Sequence, residues 1–137
     1  MNPTQPRLPE LRLQHVSLPI PDGAQETVRA FYSGVLGLAE KEVPRAVAHY
    51  GFVWFAAGPD NLELHFIPDR LVADPEEGRH ICLEVEDLEL YRRRLAEAGR
   101  QPFETFPIPG RRRFFCRDPL GILIEFATPL RHPEEPT

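Results

Sequence analysis

HVSLPIPD (residues 15–22) and, 65 positions later, HICLEVED (residues 80–87) decide the fold of this chain. In the first, Val16, Leu18 and Ile20 alternate with His15 and Ser17. In the second, Ile81, Leu83 and Val85 alternate with His80, Cys82 and Glu84. A period of two is that of a half-buried strand, and it turns both histidines away from the apolar face. Each stretch closes on an aspartate where a helix needs an N-cap, and Asp22 with Gln25 reads as a capping box. Helical spacing follows in both places, through Val28, Phe31, Tyr32, Val35 and Leu36 to Gly37, and through Leu88, Tyr91, Leu95 and Ala98 to Gly99. Glycine just past the last periodic residue is a helix stop.

Outward from these helices the strand pattern resumes. Strands are expected at 43–47, 49–57 and 62–67 in the first half, and at 102–106, 112–117 and 122–127 in the second. Turns fall at Gly58-Pro59-Asp60-Asn61 and Asp118-Pro119-Leu120-Gly121. The order strand, helix, three strands therefore occurs twice, an internal repeat of α+β type. The expected organisation is one domain over 11–128, with modules 11–67 and 79–128 joined by a linker at 68–78. Flexible ends are expected at 1–10 and 129–137.

A chain of 137 residues, 42% hydrophobic and 27% charged, can bury the core of a single domain. Its net charge of −5 and the lack of a long basic run exclude a nucleic-acid surface, which needs clustered Lys and Arg. No apolar stretch reaches the roughly 20 residues that span a bilayer, and MNPTQPRLPE at the N-terminus lacks the apolar segment of a signal peptide. A cytoplasmic protein with no membrane partner is expected. Cys82 and Cys116 form neither a disulfide framework nor a zinc pair and read as reduced thiols.

Histidines at matching repeat positions point to a shared metal ion, because neutral imidazole is a common metal ligand. Carboxylates would complete such a site. Glu125 stands opposite Ile122, Ile124 and Phe126 in an apolar run, where a carboxylate is costly unless paired or coordinated. In the first half, Glu63 and His65 both alternate with Leu62, Leu64 and Phe66. Matching Pro59 to Pro119 sets His65 opposite Glu125; matching Leu62-Glu63-Leu64 to Ile124-Glu125-Phe126 sets Glu63 there. Among the three arginines of PGRRRFF, Arg111 and Arg113 share one strand face and Arg112 the other, and Arg113 is the candidate for an anionic substrate group. Tyr50, Phe52 and Trp54 alternate with His49, Gly51 and Val53 and read as core or subunit contact.

HVSLPIPD with AFYSGVLGL, GRHICLEVEDL and FFCRDPLGILIEF together resemble the vicinal oxygen chelate superfamily, which includes glyoxalase I, extradiol dioxygenases and the fosfomycin and bleomycin resistance proteins. The resemblance runs from about Leu11 to Thr128. It implies two βαβββ modules curled into an open, incomplete barrel around a divalent metal, with Ni, Zn, Mn, Co and Fe all suited to the ligand set. By motif the ligands would be His15, Glu63, His80 and Glu125, Glu63 being chosen for its Leu-Glu-Leu context. Members with two histidines and one carboxylate would need only His15, His80 and Glu125. A homodimer is implied.

The implied reaction is of the glyoxalase type, a lyase or isomerase step on a small oxygenated molecule. The metal would chelate two substrate oxygens and stabilise an enediolate, and Glu125 or Glu63 could shuttle a proton. Pro19 and Ile67 stand where glutathione-dependent glyoxalase I has an arginine and an asparagine, so lactoylglutathione lyase activity itself is not expected. The alternatives are an extradiol-type dioxygenase using ferrous iron, and a metal-free drug-binding resistance protein. The filled ligand positions favour the metal-dependent readings.

Overall fold

The computed structural model describes residues 9, 11–70 and 78–129. Apart from residues 9 and 129, the ends expected at 1–10 and 129–137 lie outside those residues, as does most of the expected linker at 68–78. Alternation at the start of the first repeat becomes strand β1 (His15–Ile20), with Ile20 fully buried and His15 and Ser17 exposed. Helix α1 (Gln25–Val28) follows and continues as a π-helix over Arg29–Val35. Gly37 ends it at φ +79°: Leu38 N donates to Tyr32 O at 2.9 Å, the wrap that a left-handed residue permits. The expected Asp22 cap does not form. The N-cap is Ala24, with no side-chain bond, and Gln25 Nε2 donates instead to Gly51 O at 3.2 Å.

Three strands complete the first sheet, β2 (Glu40–Lys41), β3 (Val53–Ala56) and β4 (Glu63–Pro68), in the order β1-β4-β3-β2. Two expectations are corrected here. Residues 43–47 are not a strand: Arg45–Tyr50 forms a 3-10 helix, bounded by Pro44 in an extended conformation and Gly51 at φ +76°. Of the two readings of the aromatic run, the core one fails: Val53 and Phe55, both fully buried, face the core, so Trp54 lies on the opposite face and Tyr50 is exposed.

The second repeat gives β5 (His80–Glu84), α2 (Leu88–Glu97), β6 (Arg113–Arg117) and β7 (Leu123–Ala127), with sheet order β5-β7-β6. Asp87 caps α2 as expected, its side chain accepting from Leu90 N at 3.1 Å. Gly99 stops it at φ +79°. The strand expected at 102–106 shrinks to one bridge between Phe103 and Phe115, because prolines 102, 107 and 109 remove ladder donors around it. Both sheets are mixed and open, as the α+β repeat predicts.

One apolar core joins the halves. Val28, Phe31, Tyr32 and Leu36 pack with Phe55 and Phe66, while Leu88 and Leu95 pack with Phe114, Ile124 and Phe126 in the same cluster. Polar contacts also cross between the modules. Arg94 donates to Val35 O and Gly34 O at 2.7 and 3.2 Å. Tyr32 Oη, fully buried, donates to Asp118 Oδ2 at 2.7 Å. Asp118 Oδ1 accepts from Leu120 N and Ile122 N, closing the β6–β7 turn. Burial pushes the Asp118 carboxyl up despite these donors, the Tyr32 hydroxyl first among them.

Removing that hydroxyl in Tyr32→Phe leaves a buried carboxylate oxygen unsatisfied, and chemical denaturation should report a loss of about 1.5–3 kcal/mol. Because the donor favours the ionised acid, its loss raises the folded-state pKa of Asp118 further. The deficit relative to wild type should therefore be largest at neutral pH and shrink as pH falls through the carboxylate range.

Candidate metal centre

Strand parity puts a polar face on each sheet opposite the core. On the first sheet it carries His15, Glu63, His65, Trp54 and Lys41; on the second, His80, Cys82, Glu125, Phe115 and Arg113. Glu63, His65 and Glu125 are only 8%, 8% and 5% exposed, so each needs a partner.

Pairing register settles how the repeats match. His65 lies beside Ser17 and Trp54, while Glu125 lies beside Cys82 and Phe115. With His15 matched to His80, Ser17 corresponds to Cys82, so His65 occupies the position of Glu125. Glu63, beside His15, corresponds to Leu123, beside His80. The match through the turns therefore holds, and the match through Leu62-Glu63-Leu64 does not.

On the first sheet, His65 is sandwiched between two rings. His15 stacks on one side at 4.1 Å and 15°, and Trp54 on the other at 4.1 Å and 6°. His65 Nε2 donates to Glu63 Oε1 at 2.8 Å, and Lys41 Nζ pairs with Glu63 Oε2. These two donors, His65 first, hold the Glu63 carboxyl below its usual range. Both Glu63 oxygens are thus engaged within its own sheet. Lys41 carried no sequence signal, since only the β2–β3 pairing brings it to Glu63.

On the second sheet, His80 Nε2 lies 3.0 Å from Glu125 Oε1, and His80 Nδ1 donates to Gly78 O at 3.0 Å. A neutral imidazole has a single N–H. With Nδ1 donating, Nε2 presents its lone pair towards a carboxylate oxygen, an arrangement that calls for a cation, either a second proton or a metal ion. Donors bound to one first-row ion at about 2.0–2.2 Å with a near-right angle between them stand about 3 Å apart, so this pair has a ligand-like spacing. A carbonyl acceptor on the far ring nitrogen is the usual support of a ligating histidine. His15 shows the same polarity, with Nδ1 2.5 Å from Gln14 Oε1. Cys82 shares this face, but burial and then the Glu125 charge raise its pKa and keep it a thiol.

Among the described residues no hydrogen bond or ion pair joins the two groups, and they lie on different sheets. β1 and β5 are edge strands of separate sheets and do not pair. Among the described residues, no three of His, Cys, Asp and Glu are grouped for metal binding. Arg113 is also placed unexpectedly: its side chain, 10% exposed, points its guanidinium at Glu125 rather than at open space. A cavity of about 290 Å³ adjoins it, walled by the start of α2, the 104–108 segment and Arg111. Arg111 Nε is buried and has no hydrogen-bond partner among the described residues.

Solved structures share this fold. A protein assigned to the glyoxalase family from Bacillus anthracis is 27% identical, with a TM-score of 0.78 over 89% of this chain and 98% of its own. An antibiotic binding protein, TnmS3 from Streptomyces sp. CB03234, is 22% identical with a TM-score of 0.71, over 90% and 99% of the two chains. The fosfomycin resistance protein FosX from Listeria monocytogenes is 15% identical with a TM-score of 0.71, over 92% and 99%. No curated protein matches the chain. Residues 12–126 match a family description that agrees with the paired modules and open sheets, and this chain belongs to the Glyoxalase/Bleomycin resistance protein/Dioxygenase superfamily.

Proposed function

We propose that the protein is a metal-dependent enzyme of the glyoxalase type, with His80 and Glu125 of one chain and His15 of a second copy as the ligands. The observation that carries this reading is His80 itself, with Nδ1 on Gly78 O and Nε2 3.0 Å from Glu125 Oε1. Engagement of Glu63 by Lys41 and His65 argues for a set of two histidines and one carboxylate, with Glu63 acting from outside it. A divalent ion there would accept two neighbouring substrate oxygens and offset the negative charge that develops on them, the chemistry of a lyase or isomerase.

The chain's own residues supply the rest. Glu125 contributes a fixed negative charge. The Lys41–Glu63–His65 group holds a fixed charge pair on the polar face of the first sheet, and Arg111, which lines the adjoining cavity, offers a cation to an anionic substrate group. The separation of the His15 and His80 groups within one chain favours a homodimer in which each copy completes the other's site. A metal-free antibiotic-binding protein is the second reading, favoured by the absence of a three-donor group among the described residues.

Metal analysis of untagged protein separates the two. Native chain should carry a first-row divalent ion, and His80→Ala should weaken its binding by more than about 100-fold, beyond the usual loss for a supporting residue. A native protein that neither holds nor gains Ni, Zn, Mn, Co or Fe would sink the enzyme reading and leave the binding protein. Turnover of methylglyoxal with thiols, tested beside catechols under oxygen, then distinguishes a lyase from an iron dioxygenase.

The shared site has its own test. His15→Ala and His80→Ala, each metal-poor alone, should regain about one quarter of wild-type metal when unfolded together and refolded, because half of the dimers formed then carry one intact site. No regain on mixing would place all ligands in one chain.

A further inference from the structure

Glu125 sits in the central strand of its sheet, bonded on one side to β5 and on the other to β6, so its backbone is fixed and only its carboxylate can turn. Arg113 stops that turn. Its Cα pairs with Ala127, two residues beyond Glu125, which sets the guanidinium diagonally across the ladder. Nη1 lies 3.4 Å from Glu125 Oε2. Nη2 donates to Phe106 O at 2.8 Å and to Thr105 Oγ1 at 3.1 Å. The guanidinium carbon stands 5.0 Å from the Phe106 ring centre and 5.1 Å from that of Phe115. Arg113 is therefore held by β6 and by the 104–108 segment together. Nε is buried without an acceptor among the described residues, so the contacts through Nη1 and Nη2, together with the rings, set its pose.

We propose that Arg113 is a positioning residue that divides the two oxygens of Glu125. It occupies Oε2 and leaves Oε1 as the single carboxylate atom beside His80 Nε2. This inference rests on the reading of Glu125 and His80 as metal ligands. A carboxylate free to rotate could present both oxygens to one ion, adding a ligand and closing a position that a chelating substrate needs. Arg113 keeps that position open. Only a planar, forked cation can reach Glu125, Thr105 and the Phe106 carbonyl at once while stacking on rings; a lysine ammonium cannot.

Cobalt(II) titration followed by visible absorption tests this, because cobalt bands weaken as the coordination number rises. Wild-type protein should give a saturable band. In Arg113→Met the band should be weaker, as the freed carboxylate adds its second oxygen, with Co²⁺ binding retained and far-ultraviolet circular dichroism unchanged. Arg113→Lys should not restore the wild-type spectrum. Thr105→Val, which leaves Arg113 in place but removes one anchor, should shift the spectrum in the same direction by less, and it decides the matter if Arg113→Met does not fold. Wild-type cobalt spectra in all the folded variants would overturn the positioning role while leaving the metal reading intact. A wild-type protein that gives no cobalt band at all would overturn both.

Discussion

Asp118 is the buried carboxylate on which the arrangement of the two modules depends. It is 2% exposed and accepts from Tyr32 of the first module and from two backbone amides of its own turn. A hydrogen bond to a charged buried group is worth more than a neutral one, and an orphaned acceptor there costs more still. The contact therefore ties the π-helical segment to the β6–β7 hairpin in one register. Through that hairpin it also sets where Glu125 stands relative to the shared core.

The face of each sheet turned away from the core is built differently from an ordinary solvated face. Glu63, His65 and Glu125 are nearly as buried there as the apolar residues behind them. Burying such groups is unfavourable unless every donor and acceptor is matched, and here the matching is local to each sheet. Lys41 and His65 satisfy Glu63, while His80 and Arg113 flank Glu125. The two half-sites differ in character: the first sheet stacks rings around an internally closed ion pair, whereas the second leaves His80 Nε2 and Glu125 Oε1 directed at one another.

Membership of the superfamily fixes the scaffold and leaves the activity open, since a fold hosts many chemistries. Structures with nearly the same fold include an antibiotic binding protein and a fosfomycin resistance protein. What separates such outcomes is the identity of a few side chains on the polar faces. In this chain the polar faces carry the histidine–carboxylate pair of the second sheet, the engaged Glu63, and Arg113 turned onto Glu125.

Much of the fold was legible in the sequence because its signals are local. Alternation placed His15 and His80 away from the apolar face, helical spacing and glycine stops marked both helices, and Asp87 marked a cap. Local signals failed where a neighbour distant in sequence made the decision. Asp22 lost its capping role as Gln25 turned to Gly51, and the parity around Trp54 followed the core rather than the run of aromatics. The repeat alone therefore determined that two histidines occupy equivalent positions on polar strand faces. Only the tertiary structure decided that His65 rather than Glu63 matches Glu125, that the two histidines belong to separate sheets, and that Arg113 turns onto Glu125. Strand register, sheet order and diagonal contacts are set by pairing between segments far apart in the chain, and no period within one segment encodes them.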